Sequence, residues 1–305
     1  MTPLRFSDKR YGNSAGIAAM LISMAGFTAN DTCIKLLSEH LPLGEIIVLR
    51  GATASLYIAA IGLALGGLHL PANPPRRLLG WRVLAEISST LFFLSGLIRL
   101  PIADATALAQ ATPLVMTAAA AIWLKEPIGT RHWLAALAGL IGVLLIVQPG
   151  SAAFTPAAVL ILIAVVLVVM RDLATRRISH SVPTLTLTLM SALAVMPSGF
   201  LLLPFETWAW PSVRDAWLVV LGGLFLAAGY AFIIIAMRAG DVAVIAPFRY
   251  GVIIFGLLSG YLVWGQIPNI VALTGIVILT AAGLYTFHRE RALLSGVPTA
   301  GIPEA

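Results

Sequence analysis

The sequence predicts an all-α integral membrane protein with ten transmembrane helices, arranged as two five-helix repeats of inverted topology. The first observation behind this prediction is composition: 59% of the 305 residues are hydrophobic and 10% are charged. The mean hydropathy of +0.97 lies outside the range of soluble domains. The second observation is a series of apolar runs of about 20 residues, the length that a helix needs to cross roughly 30 Å of hydrocarbon. The third is a similarity between the two halves of the chain, roughly 140 residues apart.

The apolar runs define ten predicted spans joined by short connections, several of which carry helix-ending prolines or glycines. A tail at 1–13 precedes the spans, and a tail at 289–305 follows them. Five spans form the first repeat, 14–148, and five form the second, 156–288. Their predicted boundaries are 14–37, 44–66, 79–99, 103–124, 130–148, 156–176, 183–203, 215–237, 242–264 and 268–288.

The distribution of basic residues predicts the orientation of the chain in the membrane. With the N-terminus inside, 14 of the 19 Lys and Arg fall at cytoplasmic helix ends, three fall outside and two lie within spans. This is the positive-inside bias of a multi-pass protein of the bacterial inner membrane, with both termini in the cytoplasm. The seven tryptophans fall at predicted helix ends or in loops, as expected of an aromatic belt.

Composition also argues against several classes of function. The basic residues are scattered between apolar runs, so the net charge of +6 does not indicate nucleic-acid binding. Cys33 is the single cysteine, which excludes an intramolecular disulfide framework. No Cys/His cluster has metal-ligand spacing, and we find no HExxH, GxSxG or Gly-rich phosphate loop. We therefore expect no metal, no cofactor and no enzymatic activity.

The internal similarity is clearest when residues Arg99–Ile128 are laid over Ala239–Pro268. Each segment has a short polar corner, a long helix containing a proline and a polar exit, KEP in the first and GQIP in the second. Each repeat has an odd number of crossings, so the second enters the membrane from the opposite side. Inverted repeats of this kind are a common plan for transporters.

The chain resembles the EamA group of ten-helix carriers in the drug/metabolite transporter superfamily, from about residue 14 to residue 288. The motifs that carry the resemblance are NDTCIK, GEIIVLRG, LPIADATAL with LKEPIG, and RAGDVAVIAPFRYG with WGQIP. Gln266 departs from the pattern, because the exit carboxylate present as Glu126 in the first half is missing there. The resemblance implies a central cavity between the two halves, with the last span of each half at the periphery.

The resemblance and the span pattern together predict a secondary active transporter that moves a small organic metabolite by alternating access. An amino acid, a vitamin such as riboflavin, a nucleoside derivative and a sulfonium compound such as S-adenosylmethionine are all open as substrates. The alternatives are a non-transporting membrane scaffold or receptor and a membrane-embedded enzyme. The expected partners are the small-molecule substrate and the lipid bilayer, without nucleic acid, and homodimerisation stays open.

A few polar side chains lie within the predicted spans, where a charge costs at least about 2.5–3.5 kcal/mol. We take them as candidates for substrate binding or gating: Asp31, Arg50, Glu86, Gln110, Tyr230, Arg249 and Tyr250. Pro247 is the predicted helix break, because it removes a backbone hydrogen bond just before Arg249.

Each candidate also has a structural interpretation. Arg249 either binds a carboxylate, phosphate or carbonyl of the substrate or forms a fixed ion pair with Asp31 or Glu86. Asp31 either pairs with Lys35, one turn later, or couples transport to protons. A pair of Glu86 with Arg82, a gating role for Arg50 and interhelical hydrogen bonding by Gln110 are the other structural interpretations.

Overall fold

A computed structural model describes residues 12–64, 67–69, 75–123, 130–151, 154–178, 182–239 and 242–295. Over these ranges the secondary structure is helical, without strands. The helices are α1 Asn13–Leu37, α2 Leu43–Ala64, α3 Arg76–Leu97, α4 Ile102–Ala109, α5 Thr112–Trp123, α6 Thr130–Val147, α7 Ala157–Arg177, α8 Thr184–Ser198, α9 Val213–Ala239, α10 Val242–Ile245, α11 Gly251–Trp264 and α12 Ile270–Ser295. The exit motif at Lys125 and Glu126, and most of both tails, lie outside the described residues.

Seven predicted spans each correspond to one helix, with ends that differ by a few residues, and the largest difference is the extension of α12 to Ser295. The other three spans are interrupted. The fourth breaks between α4 and α5 at Gln110, just before Pro113. The seventh continues beyond α8 as a 3₁₀ helix, Gly199–Phe205, and the ninth contains a 3₁₀ helix, Ala246–Tyr250.

The break in the ninth span coincides with Pro247, as the sequence predicts. Proline has no amide hydrogen, and its ring clashes with the preceding turn, so a continuous α-helix is disfavoured there. The chain passes from α10 through the tighter 3₁₀ turn into α11. The same property explains the interruption after α8, where Pro197 and Pro204 follow within a few residues of each other.

Seven helical segments are long and apolar enough to cross a bilayer: Asn13–Leu37, Leu43–Ala64, Arg76–Leu97, Ala157–Thr175, Leu185–Phe205, Val213–Met237 and Ala246–Trp264. Two shorter apolar helices, Trp133–Val147 and Ile270–Thr286, accompany them. The chain is therefore a multi-pass membrane protein with an all-α fold.

The helices pack mainly across the two halves of the chain. The most extensive contacts join α1 to α9, α3 to α7, α6 to α12 and α2 to α8. Small residues permit these approaches: a side chain at Gly142 would overlap the backbone of Gly275, and the converse is also true. Close backbone contact at small residues is typical of helix association in membranes.

The two ends of the bundle differ in how α4, α5 and α11 pack. We call the end where α1 begins at Asn13 the entry end, and the end where α1 stops at Leu37 the far end. In the far half, α4 packs on α11, because Gly256 and Gly260 leave room for Thr106 and Ile102. In the entry half α5 packs on α6 and α7 and, among the described residues, has no extensive contact with α10 or α11.

Candidate functional site

Glu86 on α3 is at the centre of a charged cluster inside the bundle. Its carboxylate lies 3.2 Å from Nη1 of Arg171 on α7 and 3.8 Å from Nη2 of Arg82, one turn earlier on α3. Ser191 on α8 also donates a hydrogen bond to Glu86, at 3.4 Å. Both carboxylate oxygens of Glu86 are thus occupied by protein groups.

The two arginines of this cluster are also engaged elsewhere. Arg82 donates to the hydroxyl oxygens of Thr175 at 3.0 Å and Ser191 at 2.7 Å. Arg171 donates through Nε and Nη2 to Asp172, both at 2.8 Å. Charges in an apolar surrounding are stable only when they are paired and hydrogen-bonded. The Glu86 cluster meets this condition and joins α3, α7 and α8.

A second polar group, on α1 and α2, is built differently. The amide of Asn30 donates to Asp31 Oδ1 at 2.9 Å and accepts from Arg50 Nε at 3.0 Å. Both charged side chains are described in full, and they form no direct ion pair with each other. Asn30 is buried, whereas Asp31 and Arg50 are half-buried. The amide therefore separates an acid from a base.

A cavity of about 160 Å³ lies between these two polar groups. Asp31 and Arg50 line one part of it, and Glu86 and Arg171 line another. The remaining walls combine hydroxyl and apolar side chains: Ser89, Thr90, Phe93, Leu94, Ala109, Thr112, Ala164, Val165 and Val168. A smaller cavity, about 60 Å³, shares Arg50, Glu86 and Thr90 and extends to Tyr230 on α9. Arg50 and Glu86 thus face both chambers.

Arg249 lies on the 3₁₀ helix near the entry end, and its side chain is exposed. It lies within electrostatic range of Asp172 and Arg171 on α7. Although Asp31, Glu86 and Arg249 are all described, Arg249 forms no ion pair with either acid. The fixed pair considered from the sequence is therefore wrong.

The remaining candidates occupy distinct places. Tyr230 makes an edge-on contact with Phe27, at 5.3 Å between ring centroids. Tyr250 is buried against α12, where a side chain at Gly283 would overlap its ring. Gln110 is half-buried at the break after α4. The structure thus brings Asp31, Arg50, Glu86 and Tyr230 to the two chambers and leaves Gln110, Arg249 and Tyr250 outside their walls.

Lys35 shows that the helical spacing of charges misled the sequence interpretation. The expected pair with Asp31 is not formed between these two described residues. Lys35 Nζ instead donates to the carbonyl oxygens of Leu97 at 3.1 Å and Leu100 at 2.5 Å. These carbonyls stand where α3 ends and α4 begins, so they lack the partners that a continuing helix supplies. The lysine therefore fixes the corner between the two helices.

Other contacts at the far end join the two halves of the chain. Glu206 accepts from the amide of Gly44 at 2.8 Å, and Glu45 accepts from the amide of Ala209 at 3.0 Å. Toward the interior, the hydroxyl oxygens of Thr32 and Ser259 lie 2.6 Å apart. A separate cavity of about 550 Å³ lies at this end and includes Arg99 and Glu206 in its lining. Buried apolar side chains also pack near this end of the bundle: Ile34, Leu37, Leu43, Ile46, Ile47, Leu94 and Leu97.

Some members of the site carry no strong signal in the sequence. Thr90, Thr175 and Ser191 are hydroxyl residues in helices, where most such residues bond their own backbone. Arg171 and Asp172 sit near the end of an apolar run, a position that is typical of an interfacial anchor. Only the packing of α7 on α3 brings Arg171 to Glu86. Among the described residues no group of three His, Cys, Asp or Glu has the geometry to hold a metal ion.

Comparison with known proteins supports the fold and indicates a family. The model of the EamA-like transporter family matches residues 14–148. A crystal structure of a protein with 21% sequence identity superposes with a TM-score of 0.62, covering 90% of this chain and 98% of the other. At this identity, the superposition indicates a shared fold.

Several named transporters are similar in sequence. An S-adenosylmethionine uptake transporter of Rickettsia prowazekii is 25% identical over 92% of this chain and 95% of its own length. A pseudopaline exporter of Pseudomonas aeruginosa is 25% identical over 88% of this chain and 94% of its own. A riboflavin transporter of Vibrio cholerae is 29% identical over 62% of this chain, and the match spans 65% of that relative.

The family match covers the first half of the chain, and two of these relatives align along nearly all of it. Their agreement with a helical membrane fold supports the drug/metabolite transporter superfamily. Residues 14–148 of the chain are an EamA-like transporter domain of that superfamily.

Proposed function

We propose that this protein is a secondary active transporter that moves a small organic metabolite across the bacterial inner membrane by alternating access. The observation that carries the proposal is a cavity lined by Asp31, Arg50, Glu86 and Arg171 within helices apolar enough to span a bilayer. Ionisable groups at such depth cost several kcal/mol unless they serve a polar pathway or a partner. Asp31 and Arg50 have no direct ionic partner in the described structure, which supports a role toward a solute.

The packing of the helices supports an inverted repeat of ten spans. In the proposed repeat, each helix of the first half has a counterpart in the second half. The pairs are α1 with α7, α2 with α8, α3 with α9, α4–α5 with α10–α11, and α6 with α12. The contact of α1 with α9 then corresponds to that of α7 with α3, and α2 with α9 corresponds to α8 with α3. The contacts of α2 with α8 and of α6 with α12 correspond to themselves. A two-fold axis in the membrane plane generates this pattern.

Differences between the two ends support alternating access. Contacts of Glu45 with Ala209, Glu206 with Gly44 and Thr32 with Ser259 join the halves at the far end. Among the described residues, α5 makes no extensive contact with α10 or α11 at the entry end, where the Arg249 side chain is exposed. We assign this conformation as open toward the entry end. The distribution of Lys and Arg makes that end cytoplasmic in our proposal.

The names of the relatives support an organic solute. Riboflavin, S-adenosylmethionine and pseudopaline differ in structure, but each is a polar organic metabolite that needs hydrogen-bonding partners inside a carrier. The cavity of this chain combines charged, hydroxyl and apolar walls, which suits such a solute better than an inorganic ion. Fold and superfamily alone leave the identity of the metabolite open.

The test is uptake of a mass-resolved metabolite pool into proteoliposomes that contain wild type or Arg249→Ala. Arg214→Ala is the matched control, because Arg214 is an exposed arginine at the start of α9, away from the cavity. We expect wild type and the control to move at least one solute that empty liposomes do not move, and Arg249→Ala to move it at least about tenfold more slowly. Wild type that is folded and moves no solute of the pool in either direction would overturn the proposal in favour of a scaffold or receptor.

A further inference from the structure

Two groups of charged side chains line the central cavity, and they differ in how many of their hydrogen-bonding atoms have a protein partner. Every carboxylate oxygen of Glu86 has a protein partner, and each nitrogen of the Arg171 guanidinium has a carboxylate partner. In contrast, Asp31 is bonded through Oδ1 alone, and Arg50 through Nε alone, among the residues that the structure describes. The second carboxylate oxygen of Asp31 and the two terminal nitrogens of Arg50 are left for another molecule.

Asn30 is the reason that Asp31 and Arg50 do not neutralise each other. Its Nδ2 donates to the acid and its Oδ1 accepts from the base, so the amide holds the two charges on opposite sides of itself. The amide is buried at 1% exposure, which leaves it little freedom to move aside. An acid and a base that collapsed into an ion pair would fill each other's hydrogen-bonding positions. The amide keeps these positions open on the cavity wall.

The cavity beside this pair has the size and lining for a small amphipathic molecule. Its volume of about 160 Å³ corresponds to roughly five waters at about 30 Å³ each. Phe93, Val165 and Val168 provide an apolar wall, and Ser89 and Thr90 provide hydroxyl groups. A ligand therefore meets a negative group, a positive group and an apolar surface within one space.

We propose that the Asp31–Asn30–Arg50 group binds a zwitterionic solute of amino-acid size. The carboxylate of the solute lies on the terminal nitrogens of Arg50, its cationic group lies on Asp31, and its apolar side chain packs on Phe93, Val165 and Val168. Bidentate binding by guanidinium suits a carboxylate, and both contacts are charge-assisted hydrogen bonds. The solute restores the ionic contact that Asn30 prevents. The inference deepens the proposed transport function and rests on the same cavity.

Binding to the purified full-length protein in nanodiscs tests this assignment, with two series of probes. One series is leucine, isoamylamine and 4-methylpentanoate, and the other is phenylalanine, phenethylamine and 3-phenylpropionate. Within each series the side chain is constant, while the carboxylate or the amino group is removed. We expect wild type to bind at least one amino acid about tenfold or more tightly than both of its analogues.

Variants assign each contact separately. Arg50→Gln is expected to bind the amino acid no more tightly than the amine, and Asp31→Asn no more tightly than the acid. Asn30→Leu keeps both charges and the approximate volume, and we expect it to lose about tenfold or more in affinity because the two charges then pair. Arg99→Gln is the matched control, because Arg99 is an exposed arginine on the separate far-end cavity.

The inference is overturned if folded wild type binds none of the amino acids, or binds an amine or an acid as tightly as the parent amino acid. Unchanged affinity in Asn30→Leu removes the role of the amide. These outcomes differ from failure of the transport proposal. A solute that lacks one of the two charges, and that proteoliposomes carry, leaves the transporter standing and removes the zwitterion site. Binding of a zwitterion without flux of any solute leaves the zwitterion site standing and removes the transport function.

Discussion

Arg171 Nη1 on α7 lies 3.2 Å from Glu86 Oε1 on α3, a contact between residues 85 positions apart in the chain. Arg171 belongs to the second half of the chain, and Glu86 belongs to the first half. The contact therefore ties the proposed repeats together next to the cavity. Its surroundings determine which substitutions the protein tolerates.

Removing the acid of this contact should destabilise the fold. In Glu86→Gln, Arg82 and Arg171 keep their charges but lose the carboxylate that they share. Breaking a buried ion pair from one side costs about 3–5 kcal/mol, and the partial exposure of Arg171 reduces this to about 2–3 kcal/mol. Cys33 is buried and is the single cysteine, so a thiol-reactive fluorophore reports unfolding directly. We expect a midpoint of thermal unfolding several degrees below that of wild type.

Glu39→Gln, at an exposed position, is the control and should have the same midpoint as wild type. A midpoint for Glu86→Gln equal to that of wild type would contradict the assigned role.

The seam between α6 and α12 should not accept large side chains. Gly142→Leu places carbon atoms where the backbone of Gly275 lies, and overpacking of this kind costs about 1–3 kcal/mol or more. Gly80→Ala is the control, because a side chain there meets nothing within 4 Å and alanine favours the helix. The same thermal assay should give a lower midpoint for the first variant and an equal or higher midpoint for the second. Equal midpoints for Gly142→Leu and wild type would show that α6 and α12 can move apart to accept the larger side chain.

Removal of the Lys35 ammonium should loosen the far end. Lys35→Met keeps the length of the side chain but cannot donate to Leu97 and Leu100, whose carbonyl oxygens lose a charged donor. We expect Cys33, two residues earlier on α1, to react several-fold faster with a membrane-impermeant maleimide applied from the far side. Arg99→Met, which removes an exposed charge at the same end, should leave the rate unchanged. An unaltered rate in Lys35→Met would mean that other contacts keep the end closed.

Replacement of the proline in the ninth span should separate stability from transport. Pro247→Ala restores an amide hydrogen and permits the helix to continue through Ala246–Tyr250. We expect thermal stability to be equal or higher, whereas flux of the transported solute falls several-fold because Arg249 turns with the new helical register. Pro197→Ala, in the last turn of α8, is the comparison. Undiminished flux in Pro247→Ala would show that the break serves folding alone.

Much of the fold follows from hydropathy, because a membrane imposes a length of about 20 apolar residues on each crossing helix. The predicted boundaries for α1, α2, α7 and α9 agree with the structure to within two residues at each end. The break at Pro247 was predictable from the chemistry of proline, and the break at Gln110 was not predicted although Pro113 gives the same signal. The proposed inverted topology still depends on the contact pattern and the charge bias.

The partners of the candidate residues were less predictable than their positions. Helical spacing predicted an ion pair between Asp31 and Lys35. In the structure Lys35 instead binds the free carbonyl oxygens at the α3–α4 corner. The same rule was correct for Arg82 and Glu86, which pair one turn apart. Adjacency in sequence gave no indication that Asn30 separates Asp31 from Arg50, because this depends on how α1 meets α2.

The backbone contact of Gly142 with Gly275 has a mechanical consequence. Side chains of Ile146 and Leu279 pack beside the two glycines, so α6 and α12 are held both by direct backbone contact and by interlocked side chains. Glycine at both positions sets the short distance between the two helix axes. We expect this pair of helices to stay together as the fixed element of the molecule while the other helices change their positions.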